Sequence, residues 1–150
     1  MSGVTCAKQK ARSEKARRLI ANIRPKLTRV YNLGAMTESP KFIQGVYAFR
    51  GAGLAEAVPL EPAATYKVSF DKRAQLVYLR AGNSSNEMVY LALRRNKRAM
   101  RYFPISAKGA IHVQLAIVED IDPESELELY AGAPEGTVGS LLIDVGLVEI

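Results

Sequence analysis

From residue 42 onward, the chain consists of short runs of β-forming residues separated by residues that favour turns. Eight such runs follow one another at a spacing of about ten residues, with no helical pattern between them. This arrangement predicts an antiparallel β-sandwich or barrel. The predicted strands are 43–49, 65–70, 75–80, 87–93, 100–105, 111–118, 126–131 and 140–150, and the predicted turns are 51–53, 59–62, 82–85, 96–97, 123–125 and 133–136.

Several runs alternate between apolar and polar residues, as strands with one buried face do. Tyr66, Val68 and Phe70 are predicted to share a face, and the odd positions of 111–117 are all apolar. The runs 88–93 and 141–148 are apolar on both faces. We therefore expect them to be central strands or strands covered by another element.

The first 36 residues have a different character. Good helix formers and an apolar stripe at Ala16, Leu19, Ile20, Ile23, Leu27 and Val30 predict an amphipathic helix over 7–32. Pro25 should kink this helix or begin a second short one. Residues 1–30 hold nine of the chain's 21 Lys and Arg but one of its 15 acids, which gives this segment a charge of +8. The fold prediction is a mainly β protein: an antiparallel β-sandwich, jelly-roll or immunoglobulin-like, of seven to eight strands over 37–150. A basic helical arm over 1–36 precedes it.

Composition restricts the class of protein. A single cysteine, Cys6, excludes an internal disulfide and suits a reducing compartment. The first 15 residues are polar and basic rather than apolar like a signal peptide, and no run approaches the 20 or so apolar residues that cross a bilayer. We therefore expect a cytoplasmic protein without a transmembrane segment.

The cadence of residues 76–115 is similar to that of many bacterial β-sandwich modules, including the small soluble transducers paired with sensory rhodopsins. It consists of a strand, a turn at Ala81, Gly82 and Asn83, a second strand, a charged hairpin, and a strand that leads through Pro104 to His112 and Val113. The resemblance implies an architecture and assigns no functional residue.

Catalytic groups are scarce. His112 is the only histidine and is predicted to point away from the apolar face of its strand, which indicates a surface or interface residue rather than a catalytic one. The glycines at 51 and 53 lack the third glycine and the helix of a phosphate-binding loop. No catalytic residue, cofactor or metal ligand is predicted.

Two charged clusters admit more than one interpretation. Six acids without a base could hold a cation, receive a basic arm, or form an ordinary solvated strand face; they are Glu119, Asp120, Asp122, Glu124, Glu126 and Glu128. Five bases surround a predicted hairpin turn, with Tyr90, Tyr102 and Phe103 nearby; they are Arg94, Arg95, Lys97, Arg98 and Arg101. Such a cluster could contact nucleic acid or could only keep the hairpin tip soluble.

These features favour a non-catalytic interaction module, a structural or accessory subunit of a larger homo- or hetero-oligomeric assembly. The predicted partner-binding residues are in the arm: Arg12, Arg17, Arg18, Leu19, Ile20, Ile23, Arg24 and Leu27. The alternative is a coat-like or RNA- or DNA-associated protein that uses the arm and the 94–101 cluster to neutralise phosphates. A small-ligand carrier, an enzyme and a membrane-surface protein are further alternatives.

Overall fold

The computed structural model describes residues 38–116 and 118–150, and these form nine β-strands. The predicted arm lies outside the described residues. The strands are β1 (Ser39–Arg50), β2 (Gly53–Lys67), β3 (Ala74–Asn83), β4 (Val89–Arg95), β5 (Arg98–Ile105), β6 (Ala110–Gln114), β7 (Asp120–Ile121), β8 (Glu126–Ala133) and β9 (Val138–Glu149). In this part of the chain, no helix has the length and apolar character that spanning a membrane requires.

The strands pair in the order β5-β4-β8-β2-β1-β9-β3-β6, with β7 beside β3, and every pairing is antiparallel. This path folds over at β1 and β2, which share a single paired position, Ala48 with Glu61. Two layers result. Sheet A contains β1, β9, β3, β6 and β7, and sheet B contains β2, β8, β4 and β5. The predicted antiparallel β-sandwich is confirmed.

The core is the space between the layers, filled by alternate side chains of the long strands. In β9, Leu141, Ile143, Val145 and Leu147 are buried. Leu127, Leu129 and Ala131 of β8 and Leu91 and Leu93 of β4 are buried in the same core cluster. Truncation of one of these leucines to Ala should cost roughly 2–5 kcal/mol, because the cavity left behind does not fully collapse.

The two runs that are apolar on both faces are central strands, one of the two possibilities predicted for them. β4 lies between β5 and β8, and β9 lies between β1 and β3. The turn at 96–97 is also confirmed: Asn96 and Lys97 have φ angles of 49° and 68°, as the two-residue turn of a hairpin requires.

Three predicted local features were wrong. Residues 59–62 are not a turn but lie within β2, which absorbs its two prolines at register shifts against β8; bulges tolerate proline because the ladder is already interrupted there. Phe70 is exposed and follows β2 in a turn, so it does not share the buried face of Val68. The run 111–118 is shorter as a strand, since β6 ends at Gln114.

Candidate interaction site

Sheet A leaves large apolar side chains on its outer face. Val46 of β1 and Leu142 of β9 are paired across the strands, and they are 63% and 62% exposed. Phe42 is also exposed and projects from the same face of β1, because it is four residues from Val46 and side chains alternate along a strand. We refer to Val46 and Leu142 as the apolar patch; Phe42 is separated from them by the Gln44–Asp144 pair.

A polar row crosses the four strands next to the apolar patch. Gln44 of β1 pairs with Asp144 of β9, Asp144 with Arg80 of β3, and Arg80 with His112 of β6. Gln44 Nε2 donates to Asp144 Oδ1 over 2.9 Å, and Arg80 Nη1 lies 4.0 Å from Asp144 Oδ2. The row therefore holds its charges in place by contacts among its own members.

Tyr78 supports this row from β3. Its hydroxyl donates to Asp144 Oδ1 over 3.1 Å, its ring lies 5.0 Å from the guanidinium carbon of Arg80, and it meets the His112 ring edge-on at 6.4 Å. Desolvation, and then the hydrogen bond to Asp144, raise the pKa of the Tyr78 phenol. The ring also covers Gly146, where a Cβ would lie 2.2 Å from Tyr78 Cε1.

Between the row and the patch is an open depression of about 370 Å³ whose lining includes Gly82, Ala110 and Leu142, with Arg80, His112 and Asp144 at its border. His112 is exposed and faces away from Ile111 and Val113, as predicted. Asp144 Oδ1 accepts hydrogen bonds from both Gln44 and Tyr78.

The outer face of sheet B carries several tyrosines. Tyr90 and Tyr102 meet edge-to-face at 5.6 Å, and Tyr102 is 63% exposed. The Tyr90 ring covers Gly132, and its hydroxyl donates to the Leu54 carbonyl over 2.9 Å. On the same face, the Arg94 guanidinium carbon lies 4.4 Å from the centre of the Tyr130 ring.

The predicted nucleic-acid residues are brought together by the β4–β5 hairpin, but they are not equivalent. Arg94 donates to the Lys97 carbonyl and stacks on Tyr130, and Arg101 Nη2 lies 3.9 Å from Glu119 Oε2. Lys97 and Arg98 are exposed at the tip, and Arg95 is half-buried beside them. Phe103, which the sequence suggested as part of this surface, is buried in the core.

The acidic run is neutralised in part by neighbouring side chains of both sheets and of the loop before β3. Asp120 Oδ2 lies 3.3 Å from Arg73 Nη1, and Asp120 Oδ1 accepts from Gln75. Glu124 Oε1 lies 3.6 Å from Lys67 Nζ. Within residues 38–116 and 118–150, no cluster of three or more His, Cys, Asp and Glu side chains is arranged to hold a metal ion.

One buried carboxylate was not anticipated. Glu149 of β9 accepts from the Tyr66 hydroxyl over 2.5 Å and from the Ser69 amide and hydroxyl over 2.9 and 3.0 Å. Burial by itself raises the pKa of Glu149, but these hydrogen bonds and Lys41, 3.9 Å away, outweigh it and leave the pKa below its ordinary value. Because Tyr66 belongs to β2, this network ties the last strand of sheet A to sheet B.

The partner-binding residues predicted in the arm, from Arg12 to Leu27, lie outside the described residues, as does Cys6. Their role stays a prediction, and so does the boundary between an arm over 1–36 and a body over 37–150.

Comparison with known proteins identifies the architecture. No family model matches the chain, and no curated protein matches it in sequence. Similar solved structures include the CBM36-1 domain of a multidomain xylanase from the hindgut metagenome of Trinervitermes trinervoides, with 15% identity and a TM-score of 0.50 over 73% of this chain and 96% of that domain.

Two further similar structures are carbohydrate-binding modules. One is a CBM36 module in complex with calcium and xylotriose, with 14% identity and a TM-score of 0.48 over 72% of this chain and 97% of that module. The other is a family 35 module from Clostridium thermocellum, with 12% identity and a TM-score of 0.44 over 73% of this chain and 97% of that module. At such identities, what is shared is the β-sandwich fold.

Proposed function

We propose that the protein is a non-catalytic interaction module, a structural or accessory subunit that joins a larger assembly through protein contacts. The observation that carries this proposal is the apolar patch, where Val46 and Leu142 lie side by side and mostly exposed. Neighbouring exposed apolar side chains with a polar border are typical of a protein-binding surface.

The polar row supports a protein partner rather than a reaction. Asp144, Gln44 and Arg80 are fixed by contacts with one another, so little side-chain freedom is lost when a partner covers them. Removal of the apolar patch from water supplies the affinity, at roughly 25 cal/mol per Å² of apolar surface. The polar row determines the orientation in which the partner binds.

We further propose that the arm provides a second contact through Leu19, Ile20 and Ile23, with its basic residues adding electrostatic attraction. A cytoplasmic location accompanies this proposal, because a chain of 150 residues with one cysteine suits a reducing compartment.

The test is copurification from the source, followed by size exclusion of the full chain at low salt and at about 1 M sodium chloride, where charge contacts are screened. We expect an associated species at both salt concentrations, free of absorbance at 260 nm. The double variant Val46→Arg/Leu142→Arg should no longer bind the copurified partner, whatever its own oligomeric state. Leu54→Arg, an exposed apolar residue of β2 in sheet B, is the matched control and should keep that binding.

The second candidate function is nucleic-acid binding, favoured by exposed Tyr102 near a basic hairpin tip at Lys97 and Arg98. Tyrosine rings offer stacking surfaces for bases, and the basic residues neutralise phosphates. In that case, the complex dissociates at high salt, releases material that absorbs at 260 nm, and is weakened by Tyr102→Ala. The Val46→Arg/Leu142→Arg variant would then keep its ligand. The two functions thus depend on opposite faces of the sandwich.

A further inference from the structure

The sandwich is closed on one side by the β1–β2 contact and open on the other, where β5 ends sheet B and β6 ends sheet A. A groove of about 640 Å³ lies between these two edge strands. Its lining is mainly apolar but includes the charged Arg101. The other lining residues, from both strands and the residue after β6, are Met100, Tyr102, Phe103, Pro104, Ile111, Val113 and Leu115.

The two edges differ in their capacity to accept another strand. β5 carries Arg98, Arg101 and Pro104, and charge and proline are the features that protect an edge from pairing. β6, with the sequence Ala-Ile-His-Val-Gln, has no Lys, Arg, Asp, Glu or Pro. In the part of the chain that the structure describes, the only strand paired with β6 is β3.

The ladder shows which backbone groups of β6 are available. The Leu115 amide donates to the Val77 carbonyl, and the Gly109 carbonyl accepts from the Asn83 amide, so the odd residues of this segment face β3. Amide and carbonyl groups alternate in direction along an antiparallel strand. Those of Ala110, His112 and Gln114 are therefore directed to the open edge.

We propose that β6 pairs with β6 of a second copy of this chain, antiparallel and across a two-fold axis at His112. The five residues are complementary to themselves in this register: His112 is opposite His112 of the second copy, and Ala110 is opposite Gln114. About six backbone hydrogen bonds then form at the edge, two for each of the three pairs. No like charges meet, and an isologous contact closes at two subunits.

The apolar groove favours the same occupant. Ile111 and Val113 are half-buried and pack against the core cluster. Two-fold pairing places Ile111 opposite Val113 of the second copy on the groove side of the joined sheet, so that the two grooves face each other. An edge strand without charges and an apolar groove are thus covered by a single contact. This inference concerns a different surface from the apolar patch and does not depend on it.

Cysteine cross-linking of the full chain tests the register. In a Cys6→Ser background, His112→Cys places two sulfurs on a hydrogen-bonded pair whose Cα atoms are about 5.5 Å apart, within the roughly 4.4–6.8 Å that a disulfide spans. Gln114→Cys is the control, because its two copies are four residues out of register, about 14 Å apart. We expect mild oxidation to link the His112→Cys chains into a dimer and to leave the Gln114→Cys chains unlinked.

A proline variant tests the backbone bonds. His112→Pro removes an amide directed to the open edge, whereas Val113→Pro removes one directed to β3. By light scattering after size exclusion, we expect the wild type to have twice the mass of one chain. His112→Pro should be a monomer with a nearly unchanged unfolding temperature, and Val113→Pro should unfold at a clearly lower one.

A wild type that stays monomeric, or a dimer that His112→Cys does not link, overturns the proposal. If His112→Pro does not fold, the His112→Cys cross-linking result alone decides whether the proposed β6 pairing is correct. The Val46→Arg/Leu142→Arg variant in the His112→Cys background separates this inference from the proposed function. It should still cross-link, whether or not it binds a larger assembly.

Discussion

The outer faces of the two sheets share one packing arrangement but differ in the side chains that surround it. Each has a tyrosine ring packed over a glycine of the neighbouring strand: Tyr78 over Gly146 in sheet A and Tyr90 over Gly132 in sheet B. Around Tyr78 are an arginine, a carboxylate and a histidine, with the apolar patch beyond them. Around Tyr90 there is another tyrosine, Tyr102, and the face ends at a basic hairpin.

The difference shows that the inner faces determine the fold, whereas the outer faces differ in what they can bind. The inner faces of both sheets are aliphatic and contribute to one core cluster. Sheet A leaves the aliphatic side chains of Val46 and Leu142 exposed side by side. Sheet B leaves a phenol exposed, which suits stacking and hydrogen bonding.

The largest effect is expected where the two sheets are tied together. Glu149→Gln should lower the free energy of unfolding at pH 7 by about 1–3 kcal/mol, because a charged acceptor for Tyr66 and Ser69 is lost from a buried site. The pKa of Glu149 is below its ordinary value of 4.5 in the folded protein. Its contribution is therefore present above about pH 4.5 and is lost as the pH falls through the folded pKa.

Urea unfolding from pH 7 to pH 3 measures this effect. The loss of stability on acidification should be smaller in Glu149→Gln than in the wild type. Asp120→Asn, an exposed carboxylate paired with Arg73, is the control and should change stability by no more than about 1 kcal/mol. Identical acid profiles for Glu149→Gln and the wild type would contradict the role given to this network.

A smaller effect separates the glycines of the two faces. A Cβ at Gly132 would lie 2.0 Å from Tyr90 Cζ, so Gly132→Ala must displace the ring and break its contacts with Leu54 and Tyr102. We expect a loss of about 1 kcal/mol. At Gly82, the nearest atom is 3.9 Å away, and Gly82→Ala should be neutral or slightly stabilising.

Thermal unfolding with near-ultraviolet circular dichroism measures both glycine variants, because the tyrosine signal reports the ring itself. An unchanged tyrosine signal in Gly132→Ala would show that the ring does not depend on the glycine.

The smallest expected change in stability is on the outer face of sheet A. Asp144→Asn should alter the free energy of unfolding by less than about 1 kcal/mol, since the ion pair with Arg80 is largely exposed. The pKa of Tyr78 should nevertheless fall, because Asp144 contributes to raising it. Spectrophotometric titration of the tyrosines, with Tyr78→Phe to identify the affected group, detects the change. A titration curve equal to that of the wild type would exclude the hydrogen bond between Tyr78 and Asp144.

The sheets were predictable from the sequence because alternation and turn residues are local signals. β9 is an example of a feature that such local patterns predict. Its apolar residues on both faces indicated a central or covered strand, and β9 lies between β1 and β3. Residues 59–62 are an example of a feature that local sequence patterns predict wrongly. Two prolines normally end a strand, and only the register shifts between β2 and β8 reveal why they do not.

The candidate site could not be predicted to the same extent. Gln44, Arg80 and Asp144 meet because β1, β3 and β9 are neighbours, and no local pattern gives the order of strands in a sheet. The basic hairpin was found because its residues are consecutive. Which of its side chains are engaged, as Arg94 is with Tyr130, depends on a strand 30 residues away.

The pairing of β1 with β9 has a consequence for biosynthesis. The two strands are in register over their whole length, from Ser39 with Glu149 to Arg50 with Val138, although about 90–110 residues separate the partners. Contacts of such separation form late, because the loop between them must first be closed. Val46 leaves the ribosome long before Leu142, so the apolar patch exists only after β9 has been made. In the proposed function, a partner can therefore bind the patch only after the whole sandwich has been synthesised.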